Sequence, residues 1–427
     1  MTRDKRTVYG ALGAPTDATP PRHGAAPGMA IASRPSTPTL PTRATLASVA
    51  ILPVAHAIND SYAFVLQAML PAVIANLGLS LSSAGVLVSV YQLVSSFVQP
   101  VVGHIADRGA LRWPSWAGVL MSGLGAGLLG LAPDYAALLV LLIIGGVGTA
   151  IFHPVTGAMV GAAAPPAQRG RWMGLYVTAG NFGLALGPLM LSVALAGTGL
   201  SGTWMIALPA LLIAPLVMIL APSRAGPPRN APSLLEILRN HRRVLSVLIF
   251  IVSVRAWITA TLVTFIPLLG VSRAMPEASA AQVLSLYLFF GALGGLSGGY
   301  AADRWGRDRM IALSLLLSVP PGLLVGSYPH ADLLWIMAAA AHGYFLNGSF
   351  VILTIRAQES VTGSVGMMSG IMLGLTIGIG GLFVTPMAAL AQVLGLAPIT
   401  TAVVTLAIIA AAAVRALPPL HARPAAL

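Results

Sequence analysis

The chain has 427 residues, of which 57% are hydrophobic and 8% charged, and its mean hydropathy is +0.87. A soluble domain carries roughly one charged residue in four, so this chain cannot build a water-facing surface, and a soluble globular protein is excluded. The net charge of +12 then belongs to loops that orient a membrane protein rather than to nucleic-acid binding, and the absence of cysteine excludes disulfides, thiolate chemistry and Cys-based metal sites.

Residues 1–43 are rich in Pro, Thr, Ala and Arg and have no hydrophobic periodicity, which predicts a disordered cytoplasmic tail. They show neither the early apolar core nor the small-residue cleavage site of a secretory signal. Repeated apolar runs near 20 residues follow, the length that crosses a hydrocarbon core of about 30 Å. The ten-residue alternation of a membrane β-barrel is not found.

Six spans are predicted near 46–75, 82–106, 113–132, 135–164, 172–196 and 200–221, within a bundle over 44–221. A polar cytoplasmic linker occupies 222–243. Six further spans lie near 244–270, 278–302, 310–328, 331–358, 366–392 and 396–416, within a second bundle over 244–416, and 417–427 is a cytoplasmic tail. With the N-terminus inside, the tails and inside loops hold 20 Lys and Arg, whereas the outside loops hold one, Arg273. Such a bias places both termini in the cytoplasm.

Span one contains the run His56-Ala-Ile-Asn59-Asp60. Between Arg43 and Asp107, Asp60 is the one charged residue. An aspartate at the centre of a membrane helix costs about 2.5–3.5 kcal/mol on insertion scales, so an intramembrane carboxylate marks a functional group with a partner. Span seven carries Arg255 under the same constraint.

The halves repeat. Gly103-His-Ile-Ala-Asp107-Arg108-Gly109 after span two returns as Gly299-Tyr-Ala-Ala-Asp303-Arg304-Trp-Gly306-Arg307 after span eight, 196 positions later. Gly180-Asn181-Phe-Gly183 through Pro188 returns as Gly378-Ile-Gly-Gly381 through Pro386. Two six-helix halves in parallel repeat resemble the architecture of a major facilitator transporter. The same offset sets Asp60 against Ala256, so Arg255 lies at nearly the depth of Asp60, and the two are expected to face each other across a central cavity.

Other motifs suggest gates. Gly103 and Gly299 allow close helix approach, and Asp107, Arg108, Asp303, Arg304 and Arg307 stand where helices leave the membrane, as a cytoplasmic latch. The first copy lacks the Gly-Arg-x-Arg ending of the second, which makes the latches unequal. Arg356 and Glu359 are expected to pair with each other or with Arg304 and Arg307. Gly183-x-x-x-Gly187-Pro188 offers a smooth, bent face, expected to close on Gly291, Gly294, Gly295 and Gly298 of span eight. His153-Pro154 interrupts the hydrogen bonding of span four, and His153 reads either as a substrate or proton group or as a packing histidine. Asn181 is a cavity donor, and His342 is read as a packing residue.

With these residues in view, the chain resembles the fosmidomycin resistance proteins, drug exporters of the major facilitator superfamily. The matching stretches are His56-x-x-Asn59-Asp60, Tyr91 through Gly103, Phe152-His153-Pro154, Gly180 through Pro188, Ala357-Gln-Glu359 and Gly366-Met-x-Ser-Gly370, spread over about 46–416. Where that family typically has Lys in span seven, this chain has Arg255. The resemblance implies twelve helices in a bacterial inner membrane, no cofactor, and proton-driven export, with the phosphonate fosmidomycin as one substrate.

The expected function is therefore a monomeric, proton-coupled exporter of drugs, fosmidomycin or related phosphonates among them, working by alternating access. Asp60 and Arg255 would couple protons, and His56, Asn59, Asp60, His153, Asn181 and Arg255 would contact substrate. Uptake of a small organic anion with protons uses the same residues with opposite flux. An enzyme is disfavoured because no nucleophile–base set or metal-ligand cluster is found, and a channel because paired gates imply alternating closure.

Overall fold

The computed structural model describes residues 43–106, 113–222, 239–361 and 365–419. The predicted tail, most of the linker, Asp107 and Arg108 lie outside the described residues.

Among the described residues, thirteen α-helices carry the apolar spans: α1 (Arg43–Ser61), α2 (Val65–Leu77), α3 (Leu81–Ala106), α4 (Trp113–Gly127), α5 (Tyr135–Ala163), α6 (Arg169–Thr198) and α7 (Leu208–Leu220) come first. After the linker come α8 (Arg242–Ser272), α9 (Glu277–Trp305), α10 (Arg307–Ser327), α11 (Leu333–Ser360), α12 (Val365–Leu394) and α13 (Leu396–Ala413). Short 3-10 turns precede α5, α6 and α7. Among the described residues, nine stretches are long and apolar enough to cross a membrane, one of them holding both α6 and α7, and Gly378–Leu394 is a shorter apolar helix.

Helix ends follow local chemistry. The Asp134 carboxylate caps α5 by accepting from the Ala137 amide at 2.8 Å, and Asp332 caps α11 through the Leu334 and Trp335 amides at 3.0 and 3.3 Å. Gly78 closes α2 with φ +60°, a conformation that a side chain disfavours.

Span one differs from its sequence reading. It breaks over 62–64, one residue past Asp60, where the Tyr62 and Ala63 amides donate to the Asn59 and Asp60 carbonyls in i→i+3 fashion at 3.3 and 3.1 Å. Span four differs in the opposite direction: α5 runs through Pro154 without interruption.

Sequence-adjacent and nearby helices pack closely through small residues. A Cβ on Gly125 would stand 2.7 Å from the Gly145 backbone, and one on Gly118 2.9 Å from the Gly148 carbonyl, so α4 and α5 are in near-backbone contact. Across the two halves, α3 runs along α12, and α6 along α9. The Ser89 hydroxyl donates to the Gly381 carbonyl and meets the Thr385 hydroxyl, both at 2.7 Å, and Ser82 donates to Gln392 at 2.9 Å. These ties join the halves between mid-helix and the end remote from the linker.

That arrangement corrects one expectation. Helices α6 and α9 do meet, through Ser285 donating to the Ala185 carbonyl at 2.7 Å and through Phe182 against Phe289. The glycine faces, however, point elsewhere. Gly183 and Gly187 press on the backbones of Ala57 and Ser61 in α1, next to Pro188, while Gly294 and Gly298 press on Tyr344 and Gly348 of α11. Glycine spacing reveals a smooth face but not which helix fills it.

Candidate functional site

Helix geometry sets the site. His56 and Asp60 are four residues apart on α1 and share a face, and at a rise of 1.5 Å per residue both lie near the middle of span one. Gly180 of α6 lies against them: a Cβ there would stand 2.7 Å from Asp60 Oδ2. With Gly183 pressed on Ala57, this lets α6 approach the acidic face directly. His153 arrives from α5.

The result is a compact triad. Asp60 Oδ1 lies 2.8 Å from His153 Nε2, and Asp60 Oδ2 lies 3.2 Å from His56 Nε2. The other nitrogen of His56, Nδ1, is 2.8 Å from the Tyr176 carbonyl, and the Tyr176 ring stacks on the imidazole with centroids 3.9 Å apart. His56, Asp60 and His153 are the three side chains among the described residues that converge with metal-ligating atoms. At 2.8 Å, though, Asp60 and His153 are in direct hydrogen-bond contact, whereas donors around one zinc ion at about 2.0–2.2 Å stand further apart. The geometry is that of shared protons.

Asn59 has a supporting position. It is fully buried, accepts from Ser122 at 3.0 Å and donates to Asp60 Oδ1 at 3.2 Å. Its amide orients the carboxylate instead of facing a cavity. Asn181, next to Gly180, is half-buried, and no partner for its amide is found among the described residues.

The expected opposition of Asp60 and Arg255 is not an ion pair. Among the described residues the ionic partners of Asp60 are the two histidines. Arg255 is 2% exposed on α8 and donates through Nη2 to Asn347 Oδ1 of α11, with its guanidinium 4.6 Å above the Phe350 ring. Its Nε and Nη1 find no acceptor among the described residues, and neither does the nearby Tyr287 hydroxyl. A buried, unpaired cation is costly, so this corner of the C-terminal half is chemically suited to an anion. The offset of 196 located the depth of Arg255, but one residue along a helix is a turn of about 100°, and that turn directs it to α11.

At the linker end, Arg307 Nη2 pairs with Glu359 at 2.9 Å and Nη1 with Asp303 at 2.5 Å. Among the described residues, Arg304 reaches only the Tyr300 hydroxyl, at 3.3 Å. Among the described residues, Arg356 pairs with neither Glu359 nor Arg304 and Arg307: Nε donates to Asp308 at 2.7 Å and Nη2 to the Pro418 carbonyl at 2.6 Å. Gly299 packs loosely against Val351, and Gly103 against Pro154. His342 is a packing residue, with Nδ1 2.8 Å from the Ser318 carbonyl and no exposure.

Long apolar helices that cross the bundle and hold Asp60 and Arg255 within their spans fit a membrane transporter. A family model for the Major Facilitator Superfamily matches residues 54–385. The chain belongs to that superfamily. It is 30% identical over 371 residues to an uncharacterised MFS-type transporter, YfnC, of Bacillus subtilis, covering 84% of this chain and 90% of that one. It is 28% identical over 353 residues to the fosmidomycin resistance protein of Escherichia coli, covering 81% and 86%. Among solved structures, a bacterial homologue of the lysosomal transporter Spinster, inward-facing and unoccupied, superposes with TM-score 0.73 at 17% identity over 88% of this chain and 98% of that one. The nucleoside transporter NupG gives 0.70 at 13% identity, over 88% and 100%.

Proposed function

We propose that this transporter is a proton-coupled exporter of drugs, with phosphonate anions such as fosmidomycin among its substrates. In this reading it works by alternating access as a monomer, in a bacterial inner membrane with both termini in the cytoplasm. The observation that carries the reading is a carboxylate held mid-span between two histidines, a group whose charge changes with proton uptake and which an apolar span retains only for use. The similarity to the fosmidomycin resistance protein supports the substrate class, and the half-satisfied guanidinium of Arg255 supplies a counter-charge for a phosphonate.

Separate sites ease an electrostatic difficulty. If Asp60 and Arg255 were partners, an anion at Arg255 would favour protonated Asp60 and bind together with the proton. With Asp60 served by histidines and Arg255 by Asn347, proton and anion need not compete for one pair. Coupling then runs through helix positions: α6 seated on the triad, the α3–α12 seam closing the far side, and the Asp303–Arg307–Glu359 cluster acting as the linker-side latch. The membrane potential adds about 2.3 kcal/mol per charge per 100 mV to expulsion of an anion.

The test is a drug-susceptibility panel including fosmidomycin in a pump-deficient host, comparing the native chain with Asp60→Asn. Resistance conferred by the native chain and lost in Asp60→Asn is expected. Fosmidomycin moving inward with protons in vesicles of preset pH gradient would replace export by uptake.

A further inference from the structure

The hydrogen-bond chemistry around His56 leaves a proton to be counted. A backbone carbonyl only accepts, so His56 Nδ1, 2.8 Å from the Tyr176 carbonyl, carries a hydrogen. The stacked Tyr176 ring and the closely set Gly180 hold the imidazole in that orientation. Its other nitrogen, Nε2, stands 3.2 Å from Asp60 Oδ2. A neutral imidazole would present a lone pair there, and an ionised carboxylate another. At 3.2 Å, two opposed lone pairs beside a full negative charge repel, and one hydrogen between them, on an imidazolium or on a carboxylic acid, removes that repulsion.

His153 imposes no such demand. Its Nε2 lies 2.8 Å from Asp60 Oδ1, and the neutral Nε2–H tautomer satisfies the contact. The two histidines therefore differ: one is committed at both nitrogens, and the other retains a choice of tautomer.

We propose that this conformation is the proton-loaded state, in which His56 and Asp60 together hold one transferable proton and His56, rather than Asp60 alone, is the coupling group. Loaded, the pair is neutral overall. Releasing the proton to water leaves a net charge of −1 with two lone pairs in opposition, so the His56–Asp60 contact must open. Because Gly180 and Gly183 of α6 rest on this part of α1, opening the contact displaces α6, the helix that meets α9 of the other half. The proton's presence is thereby converted into a helix position. The other titratable groups facing the pair are His153 of α5, Tyr176 of α6 and Tyr91 of α3, the last two spending their hydroxyls on Thr156 and Thr149. Among the described residues no arginine or lysine pairs with it.

The role in transport rests on the proton-coupled reading above, whereas the protonation itself does not, and two measurements keep them apart. The first uses the full-length protein with 15N-labelled histidine in lipid nanodiscs at neutral pH. We expect either an imidazolium signal that His56→Gln removes and His153→Gln retains, or a protonated-carboxyl infrared band that Asp60→Asn removes. A neutral His56 beside an ionised Asp60 overturns the proposal in the wild-type sample, with no variant needed. The second follows fosmidomycin in vesicles. His56→Gln should abolish the dependence of fosmidomycin movement on the pH gradient, because its amide bonds to Asp60 without an extra proton, whereas the movement that remains in His153→Gln, slowed or not, should still follow the gradient. Coupling that survives in His56→Gln but fails in His153→Gln would transfer the role to His153. A wild-type protein that shows the spectroscopic proton but never moves fosmidomycin would sink the substrate reading alone.

Discussion

Asp60 Oδ1 and His153 Nε2 stand 2.8 Å apart, joining α1 to α5 across 93 residues of sequence. The contact makes Asp60 the hub of three helices, since His56 shares its own helix and Tyr176 of α6 holds His56. Asp60→Asn keeps the size and one acceptor but cannot exchange a proton. The variant is expected to insert and purify as the native chain does and to lose drug movement driven by a pH gradient. An active and still proton-dependent Asp60→Asn transporter would refute the assignment.

Arg255 answers to a different measurement. A hydrogen bond to a charged group is worth about 1.5–3 kcal/mol, and about 1.4 kcal/mol is tenfold in affinity. Arg255→Ala should therefore weaken an anionic substrate roughly ten- to a hundredfold while sparing neutral and cationic drugs. Equal loss for all three classes, read from competition binding, would mark Arg255 as structural. Arg255→Lys retains the charge but not the fork that reaches Asn347 and stacks on Phe350, so it should recover only part of the anion affinity.

These two sites also show how far the sequence could be read. Hydropathy located the nine stretches that are long and apolar enough to cross a membrane among the described residues, and the internal repeat gave the order and depth of the charges. The break over 62–64 left no such mark, for Tyr62, Ala63 and Phe64 include neither Gly nor Pro. The i, i+4 spacing of His56 and Asp60 was available as a signal on one helix face. The arrival of His153 depends on how α5 is rotated in the bundle, which no local pattern encodes. Arg255 fell one residue from the position equivalent to Asp60, and a rotation of about 100° separates facing Asp60 from facing α11. Gly180 was visible as part of a repeat, but its contact with Asp60 is purely tertiary.

Gly180 accordingly yields a sharp test of the packing. A methyl group there would stand 2.7 Å from Asp60 Oδ2 and close to the His56 ring. Overpacking of this kind costs about 1–3 kcal/mol, and no charge is altered. Gly180→Ala is expected to reduce transport and lower thermal stability while Gly174→Ala, with open space around its Cβ position, leaves both unchanged. Normal transport by Gly180→Ala would show that α6 does not bear on the triad.

The turn before α11 supplies a pH dependence outside the spans. The Tyr328 hydroxyl, followed by the Trp335 and Leu334 amides, holds the Asp332 carboxyl below its ordinary range. A depressed folded-state value means that the carboxylate's stabilisation is fully present above the unfolded-state value and is lost as pH falls through the folded one. Hydrogen exchange at Leu334 and Trp335 should rise under acid conditions in the native chain, after correction for intrinsic exchange. In Asp332→Ala it should already be raised at neutral pH. Identical protection in both proteins would remove the cap from the account.

The α3–α12 seam can be closed covalently, because the chain contains no cysteine and needs no background substitutions. The Ser89 and Thr385 hydroxyl oxygens are 2.7 Å apart, which places paired sulfurs within reach of the roughly 2.05 Å bond of a disulfide. Under the alternating access proposed above, this far-side seam parts once per cycle. Oxidised Ser89→Cys/Thr385→Cys protein should therefore stop transport while still binding substrate from the linker side, and reduction should restore it. Either single cysteine variant should be indifferent to oxidant. Undiminished transport by a fully cross-linked sample, judged by mass spectrometry of the joined peptides, would mean that α3 and α12 stay together throughout and that the far-side opening lies between other helices.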